Sequence, residues 1–140
     1  MKVLVLGSNP SIRSPDSSAF NPATYSGQRI REWFEPFTDI EFIFANVLDK
    51  TTPCNRALNR KEIEQSVPSI LAKAEGCAGI ITLGNSASLA VSGAKVKIPV
   101  LGLPHPSGRT RHWNISTHRE ERQELLANFL ESLEFGNDPV

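Results

Sequence analysis

Four short apolar runs, each followed by a polar loop, are the feature that most constrains the fold of this chain. They are rich in β-branched residues, are separated by segments with helical periodicity, and comprise Lys2–Leu6, Ile40–Ala45, Ala78–Leu83 and Ile98–Leu103. Strands that alternate with helices in this way predict a parallel sheet joined by right-handed crossovers. We therefore expect an α/β fold, a three-layer α/β/α sandwich around a four-stranded parallel sheet.

Helical patterns occupy the segments between these strands. Residues Gln28–Phe37 carry apolar side chains at helical spacing, which predicts the first helix. A second pattern begins near Asn59, an N-cap residue with Glu62 three positions later, as in a capping box. Pro68 interrupts that pattern and predicts either a kink or two short helices.

Two further helices are predicted in the second half of the chain. A short one follows Gly84 and is expected to end at Gly93. The segment Thr117–Glu120 has the pattern of a capping box and would open the last helix. The residues of that helix expected to face the core are Leu125, Leu126, Phe129, Leu130 and Leu133.

Length and composition favour one cytoplasmic domain. The 140 residues, 39 % of them apolar, are enough to bury roughly two-thirds of the unfolded surface, so we expect residues 1–140 to form a single domain. No apolar run approaches the ~18 residues that span a membrane, and the N-terminus enters a strand without a signal-peptide pattern. Cys54 and Cys77 are too few for a disulfide framework and fit a reducing compartment. We expect a monomer without a membrane partner.

The charges are segregated although the formal net charge is zero. No acidic residue lies between Glu75 and Glu120. That interval contains five basic residues: Lys95, Lys97, Arg109, Arg111 and Arg119. A basic region on a neutral chain indicates a local anionic partner, such as nucleic acid or a nucleotide.

The polar loops after the four strands are expected to line one cleft, because the carboxyl ends of parallel strands share an edge of the sheet. The loop after the fourth strand contains two histidines and two arginines, and the loop after the first contains a Gly-Ser-Asn-Pro-Ser sequence. We predict that these two loops form the halves of an active site. The four loops are 7–20, 46–52, 84–88 and 105–114.

The same two loops resemble the paired motifs of the uracil-DNA glycosylase superfamily. Gly7-Ser-Asn-Pro-Ser11 is similar to the mismatch-specific branch, in which a Gly-x-Asn-Pro turn carries the catalytic Asn. Leu103-Pro-His-Pro-Ser-Gly-Arg-Thr-Arg111 combines the His-Pro-Ser of classical members with the Pro-Ser-Gly-x-x-Arg of mismatch-specific ones. The resemblance spans about residues 1–130. It implies a monofunctional DNA glycosylase of base-excision repair that hydrolyses the N-glycosidic bond of a flipped-out deaminated base, with uracil as the expected base.

Two residues are expected to be catalytic. The loops offer few carboxylates, Asp16 and Asp49 alone, so acid–base chemistry by a carboxylate pair is not expected. The site would instead stabilise the departing base and position water. The amide oxygen of Asn9 could hold the water, and His105 could donate a hydrogen bond to the base. Asn9 could alternatively be only a turn residue.

Further residues are predicted to hold the base and the DNA. Phe20 would stack against the flipped base, or would merely close the core. Asn46 offers a donor and an acceptor to a pyrimidine edge, and the backbone near Ser8 could bind the base as well. The predicted DNA-binding residues are Ser11, Ser107, Gly108, Arg109 and Arg111. No metal and no cofactor are expected, and the expected partner is DNA that contains a deaminated base.

Other functions remain open on the sequence alone. A weakly active or inactive superfamily member that binds nucleic acid or nucleotides is one, and a flavodoxin-like nucleotide or flavin binder is another. The loop after the first strand lacks a Gly-x-Gly-x-x-Gly turn, which disfavours a dinucleotide. A serine hydrolase is disfavoured because Ser88 stands where a nucleophile elbow around Ser86 needs glycine.

Overall fold

Strands and helices alternate along the chain as the apolar runs predict. The structure is a computed structural model and describes residues 1–9, 19–22, 24–49, 58–104 and 116–136. Within these ranges the elements are β1 (Lys2–Gly7), α1 (Tyr25–Phe34), β2 (Glu41–Asn46), α2 (Arg60–Gln65), α3 (Val67–Ala74), β3 (Gly79–Leu83), α4 (Asn85–Ala94), β4 (Val100–Leu103) and α5 (Ser116–Gly136).

The four strands form one parallel sheet, which confirms the predicted fold class. Its order is β2-β1-β3-β4. Gly7 lies opposite Asn46 at the carboxyl ends of β1 and β2. The chain leaves β1 toward one edge and returns on the other side of it with β3, so the strand order reverses between β1 and β3. In open α/β sheets the crevice outside the carboxyl ends at such a reversal is where ligands bind.

Alternate residues of the central strand pack on opposite layers. Val3 and Val5 belong to a core cluster that includes side chains of α1 and α5. Leu4 and Leu6 belong to a second cluster with side chains of α3 and α4. All four are fully buried. This two-sided burial is the reason β1 reads as a continuous apolar run, and it makes the molecule a three-layer sandwich.

The predicted break at Pro68 is confirmed, and so is the capping box before it. The Asn59 side chain accepts from the Glu62 N–H, while the Glu62 carboxylate accepts from the Asn59 N–H. Helix α2 then ends at Gln65 and α3 starts at Val67. Pro68 falls in the first turn of α3, where its missing N–H has no intrahelical partner to lose.

Several element boundaries differ from the prediction for local reasons. Helix α1 begins at Tyr25, three residues early, because the Thr24 side chain caps it by accepting from the Gly27 N–H. Helix α4 runs through Gly93 and is terminated by Lys95, which takes the left-handed conformation. Strand β4 begins at Val100, two residues after the predicted start. Pro99, just before it, has no N–H to contribute to a ladder.

Two predictions about α5 are wrong. The helix already includes Ser116, so Thr117 lies inside it rather than at its N-cap. Leu125 is 46 % exposed, although Leu126 and the other leucines predicted to face the core are buried. Arg122, four residues before Leu126 and on the same side of the helix, is buried there, with its guanidinium 4.4 Å from the Trp33 ring centroid. None of the described helices could cross a membrane.

Candidate functional site

Three side-chain positions converge where β1 and β2 end. Gly7 and Asn46 are register partners at the last positions of the two strands. Because side chains alternate along a strand, Asn46 continues the face of β2 that carries Phe44. The Phe20 ring contacts that ring edge-on, with centroids 6.1 Å apart. We call Gly7, Phe20 and Asn46 the Gly7 corner.

Glycine is required at the corner for space. A Cβ added at Gly7 would lie 2.7 Å from Phe20 Cζ and 3.0 Å from Asn46 Oδ1. The first distance is far below van der Waals contact. The absent side chain of Gly7 therefore leaves the phenyl ring and the amide room to approach the end of β1.

Replacing Gly7 by alanine is expected to disturb this corner. The added methyl group must displace the ring of Phe20, a core residue that is only 8 % exposed. We expect Gly7→Ala to lower the free energy of unfolding by about 1–3 kcal/mol, the usual cost of overpacking. Urea denaturation measures this change. An unchanged midpoint would show that the ring has room to move.

Phe20 closes the core at this edge of the sheet. It is 8 % exposed and belongs to the cluster that includes α1 and α5. Its φ of 51° is unusual for a residue other than glycine. Its carbonyl oxygen accepts a hydrogen bond from Arg31 Nη2 at 3.3 Å. Phe20 therefore packs as a core residue, and its stacking against a flipped base stays a prediction.

The side-chain amide of Asn46 is buried, and its N–H donor has no acceptor among the described residues. Asn46 is 3 % exposed, and its Nδ2 has no hydrogen-bond partner among the described residues. A buried amide left unpaired costs on the order of 1–3 kcal/mol, so such groups are rare in folded proteins and need a reason. A ligand carbonyl oxygen would satisfy this donor.

Ser8 and Asn9 follow β1 directly and are both half-buried. The Ser8 hydroxyl donates to Asn9 Oδ1 at 3.0 Å, which orients the amide. The Ser8 carbonyl oxygen accepts from the Leu48 N–H at 2.9 Å, so the first residues after β1 stay paired with the segment after β2. An amide oxygen has a second lone pair, and a water could bind there.

Lys73 is a neighbour of the corner that the sequence did not indicate. Its Nζ donates to the Asn46 carbonyl oxygen at 2.7 Å, across 27 residues of chain. The same Nζ lies 3.7 Å from Asp49 Oδ2. A lysine in the last turn of a helix has no local feature that predicts such a contact.

The other half of the predicted site lies outside the described residues. This applies to His105, Ser107 and Gly108, and also to Ser11, Arg109 and Arg111. Pro104, the last described residue before them, follows β4 at the same carboxyl edge as Gly7 and Asn46. The prediction that Asn9 and His105 belong to one active site therefore stays a prediction.

Two other chemistries find no support in the described ranges. No group of three or more His, Cys, Asp or Glu side chains that could hold a metal ion occurs there. Burial raises the pKa of Cys77, which keeps its thiol protonated, and the residue precedes β3 at the amino edge of the sheet. A thiol of this kind is a poor nucleophile.

Comparison with known proteins extends the motif resemblance to nearly the whole chain. The profile described as "Uracil DNA glycosylase superfamily" matches residues 1–134. No individual curated protein gives a significant match. The matched range includes the four described strands and the chain segments that follow them, and the Gly7 corner falls within it. The chain therefore belongs to the uracil DNA glycosylase superfamily, which indicates a DNA glycosylase-like role for this protein.

Proposed function

We propose that this protein is a monofunctional DNA glycosylase that removes uracil from DNA, and that its motifs place it nearest the mismatch-specific branch. The proposal is carried by the buried amide of Asn46, whose Nδ2 finds no hydrogen-bond partner in the part of the chain that the structure describes. This amide lies beside an aromatic ring at the carboxyl ends of two parallel strands, next to the Ser8–Asn9 turn. A flipped base needs such a combination of a stacking surface and a polar group that reads its edge.

The amide of Asn46 suits uracil better than cytosine. Uracil presents a carbonyl oxygen at C4, whereas cytosine presents an amino donor there. The side-chain Nδ2 can donate to the oxygen but not to the amino group. A buried donor that meets another donor loses its hydrogen bond, so the site would reject cytosine by leaving polar groups unpaired.

The proposed reaction needs no carboxylate pair. Water held by the Asn9 amide oxygen forms a bond to C1′ as the C1′–N bond breaks, and it releases one proton to solvent. The base leaves as an anion and takes up one proton from solvent. His105 would donate a hydrogen bond to that anion. Asp49 is an unsuitable general base, since its side chain is 71 % exposed and lies beside Lys73.

The basic interval of the chain would hold the DNA. Ser11, Ser107 and Gly108 are suited to phosphate contacts through hydroxyl and N–H groups, and Arg109 and Arg111 would contact the duplex or its backbone. Residues 1–140 would act as one domain, a cytoplasmic monomer that uses no metal and no cofactor.

Base release from oligonucleotides tests this proposal. The protein is incubated with duplexes containing one uracil, one hypoxanthine or one mismatch, and abasic sites are cleaved with alkali. We expect cleavage at uracil and none at cytosine. Duplex binding without release from any substrate would contradict the proposal and favour a non-catalytic nucleic-acid-binding protein, while a thermal shift with flavin alone would favour a flavin binder.

Asn46→Leu separates a functional amide from a structural one. Leucine branches at Cγ as asparagine does, although it is larger, and the variant removes a buried donor that has no hydrogen-bond partner among the described residues. We expect the free energy of unfolding to be unchanged or raised by about 1 kcal/mol, while the rate of uracil release falls about 10²-fold. Calorimetry and single-turnover kinetics measure the two. A large loss of stability at unchanged rate would show that the amide serves the fold.

A further inference from the structure

We infer that Lys73 is a positioning residue for Asn46, holding the Asn46 peptide so that its side-chain amide is aimed at the base. This inference rests on the proposed function, because it takes Asn46 as the residue that reads the base. The supporting contact is the 2.7 Å hydrogen bond from Lys73 Nζ to the Asn46 carbonyl oxygen. The lysine side chain is 24 % exposed and Asn46 is 3 % exposed, and the contact between them is partly buried.

Lys73 acts on the backbone of Asn46 and not on its side chain. Strand β2 is at the edge of the described sheet, and just beyond it the Val47 N–H donates to the Gly7 carbonyl oxygen at 2.9 Å. Ile70, which lies three residues before Lys73 in α3, packs on the face of the sheet opposite to Phe20. The ammonium therefore reaches the strand end from the layer that does not contain the Gly7 corner.

Three hydrogen bonds hold the strand end in place. Two pair the Val47 and Leu48 N–H groups with the Gly7 and Ser8 carbonyl oxygens, and the third is the contact from Lys73. If the third is lost, the peptide after Asn46 can tilt about the other two, and a small tilt moves the amide at the end of the side chain by a larger distance. Misplacement of a positioning group by about 1 Å can cost on the order of 10²-fold in rate.

Asp49 contributes less to this arrangement. Its carboxylate is 3.7 Å from the ammonium, and its side chain is 71 % exposed. Solvent-exposed ion pairs of this kind contribute little to stability. The carbonyl contact is shorter and better shielded. Asp49→Asn is therefore a matched control, since it removes the ion pair and leaves the Lys73–Asn46 hydrogen bond possible.

The test compares uracil with 4-thiouracil, whose sulfur is a weaker hydrogen-bond acceptor at C4. The quantity measured is the single-turnover rate for uracil divided by the rate for 4-thiouracil in the same oligonucleotide. Differences in leaving-group chemistry are the same for every variant and cancel when ratios are compared. General loss of stability slows both substrates alike, whereas a misaimed donor lowers the ratio.

We expect Lys73→Met to lower this ratio about 10-fold relative to the unchanged protein. Lys73→Arg, which keeps a charged donor, is expected to restore most of it. Asp49→Asn is expected to stay within about 2-fold of the unchanged protein. If Lys73→Met does not fold, Lys73→Gln provides the same comparison, because it loses the charge and the reach but stays polar.

Two results would overturn the inference while leaving the proposed function intact. One is an active protein in which Lys73→Met keeps the original ratio. The other is an equal fall of the ratio in Lys73→Met and Asp49→Asn, which would assign the effect to the ion pair. Failure of the unchanged protein to release any base is a different result, and it would remove the proposed function together with this inference.

Discussion

Asn9→Ala and His105→Ala are each expected to lower the single-turnover rate of base release by about 10²-fold or more, while DNA binding is retained. Asn9→Ala removes the oxygen that would hold the attacking water. His105→Ala removes the donor to the departing base. In the proposed mechanism both groups would act on the reacting atoms and not on the phosphates, so the loss should appear in the chemical step. Rapid mixing at saturating protein measures that step directly.

Arg111→Ala is the contrasting variant. Arg111 would contact the DNA backbone, so we expect weaker binding, a shallower dependence of affinity on salt, and a nearly unchanged rate once the DNA is saturated. Fluorescence anisotropy over a range of salt concentrations measures affinity separately from rate. Equal losses of binding in all three variants would refute the division between catalytic and DNA-binding residues.

Ser8 allows a graded check on the role of Asn9. The Ser8 hydroxyl donates to Asn9 Oδ1 at 3.0 Å. Ser8→Ala removes this donor to the amide oxygen and leaves the amide itself in place. If the amide oxygen positions water, this variant should lose less rate than Asn9→Ala and lose it in the same kinetic step.

The sheet could be predicted because its signals are local. Strands buried on both faces must be short apolar runs, and β3 and the residues of β1 after Lys2 are buried in the way their sequences indicate. The helix starts that were predicted well also have local causes, such as the reciprocal hydrogen bonds between Asn59 and Glu62. The errors at α1 and β4 come from single residues, Thr24 and Pro99, that override the apolar pattern by a hydrogen bond or by the lack of an N–H.

The candidate site could be predicted only in part. Asn46 could be proposed because it is a polar residue at the end of an apolar strand, and its burial is compatible with a place in a site. The contacts that shape the corner join residues far apart in sequence: Gly7 meets Phe20, and Lys73 reaches Asn46. No periodicity encodes such approaches. The hydrophobic pattern of α5 also predicted that Leu125 is buried, whereas Arg122 is buried instead. A hydrophobic pattern cannot indicate this, because Arg122 is held by a cation–aromatic contact with Trp33.

Gly27→Ala is expected to be the most destabilising of these single substitutions, because Gly27 lets one piece of backbone cross another. A Cβ at Gly27 would lie 2.0 Å from the Asn21 carbonyl oxygen and 2.6 Å from that of Phe20. These are backbone atoms and cannot rotate away. The Asn21 oxygen also accepts from the Thr24 hydroxyl at 2.7 Å, so moving it breaks the start of α1.

We expect Gly27→Ala to lower the free energy of unfolding by about 3 kcal/mol, which corresponds to roughly 10 °C in Tm for a chain of this size. Because Phe20 must shift with Asn21, the Gly7 corner is disturbed too, and base release should fall even well below the melting temperature. Calorimetry and the uracil assay measure the two effects.

Gly93→Ala is the matched control for that experiment. Gly93 also lies in a helix, α4, but a Cβ there meets nothing within 4 Å. Alanine restricts the unfolded chain and favours the helix, so we expect this variant to be more stable by about 0.5–1 kcal/mol with unchanged base release. Opposite signs at two helical glycines can come only from their surroundings, since the covalent change is identical. If Gly27→Ala were also stabilising, the Phe20–Asn21 backbone could not lie against the first turn of α1, and the position of the phenyl ring over Gly7 would have to be abandoned with it.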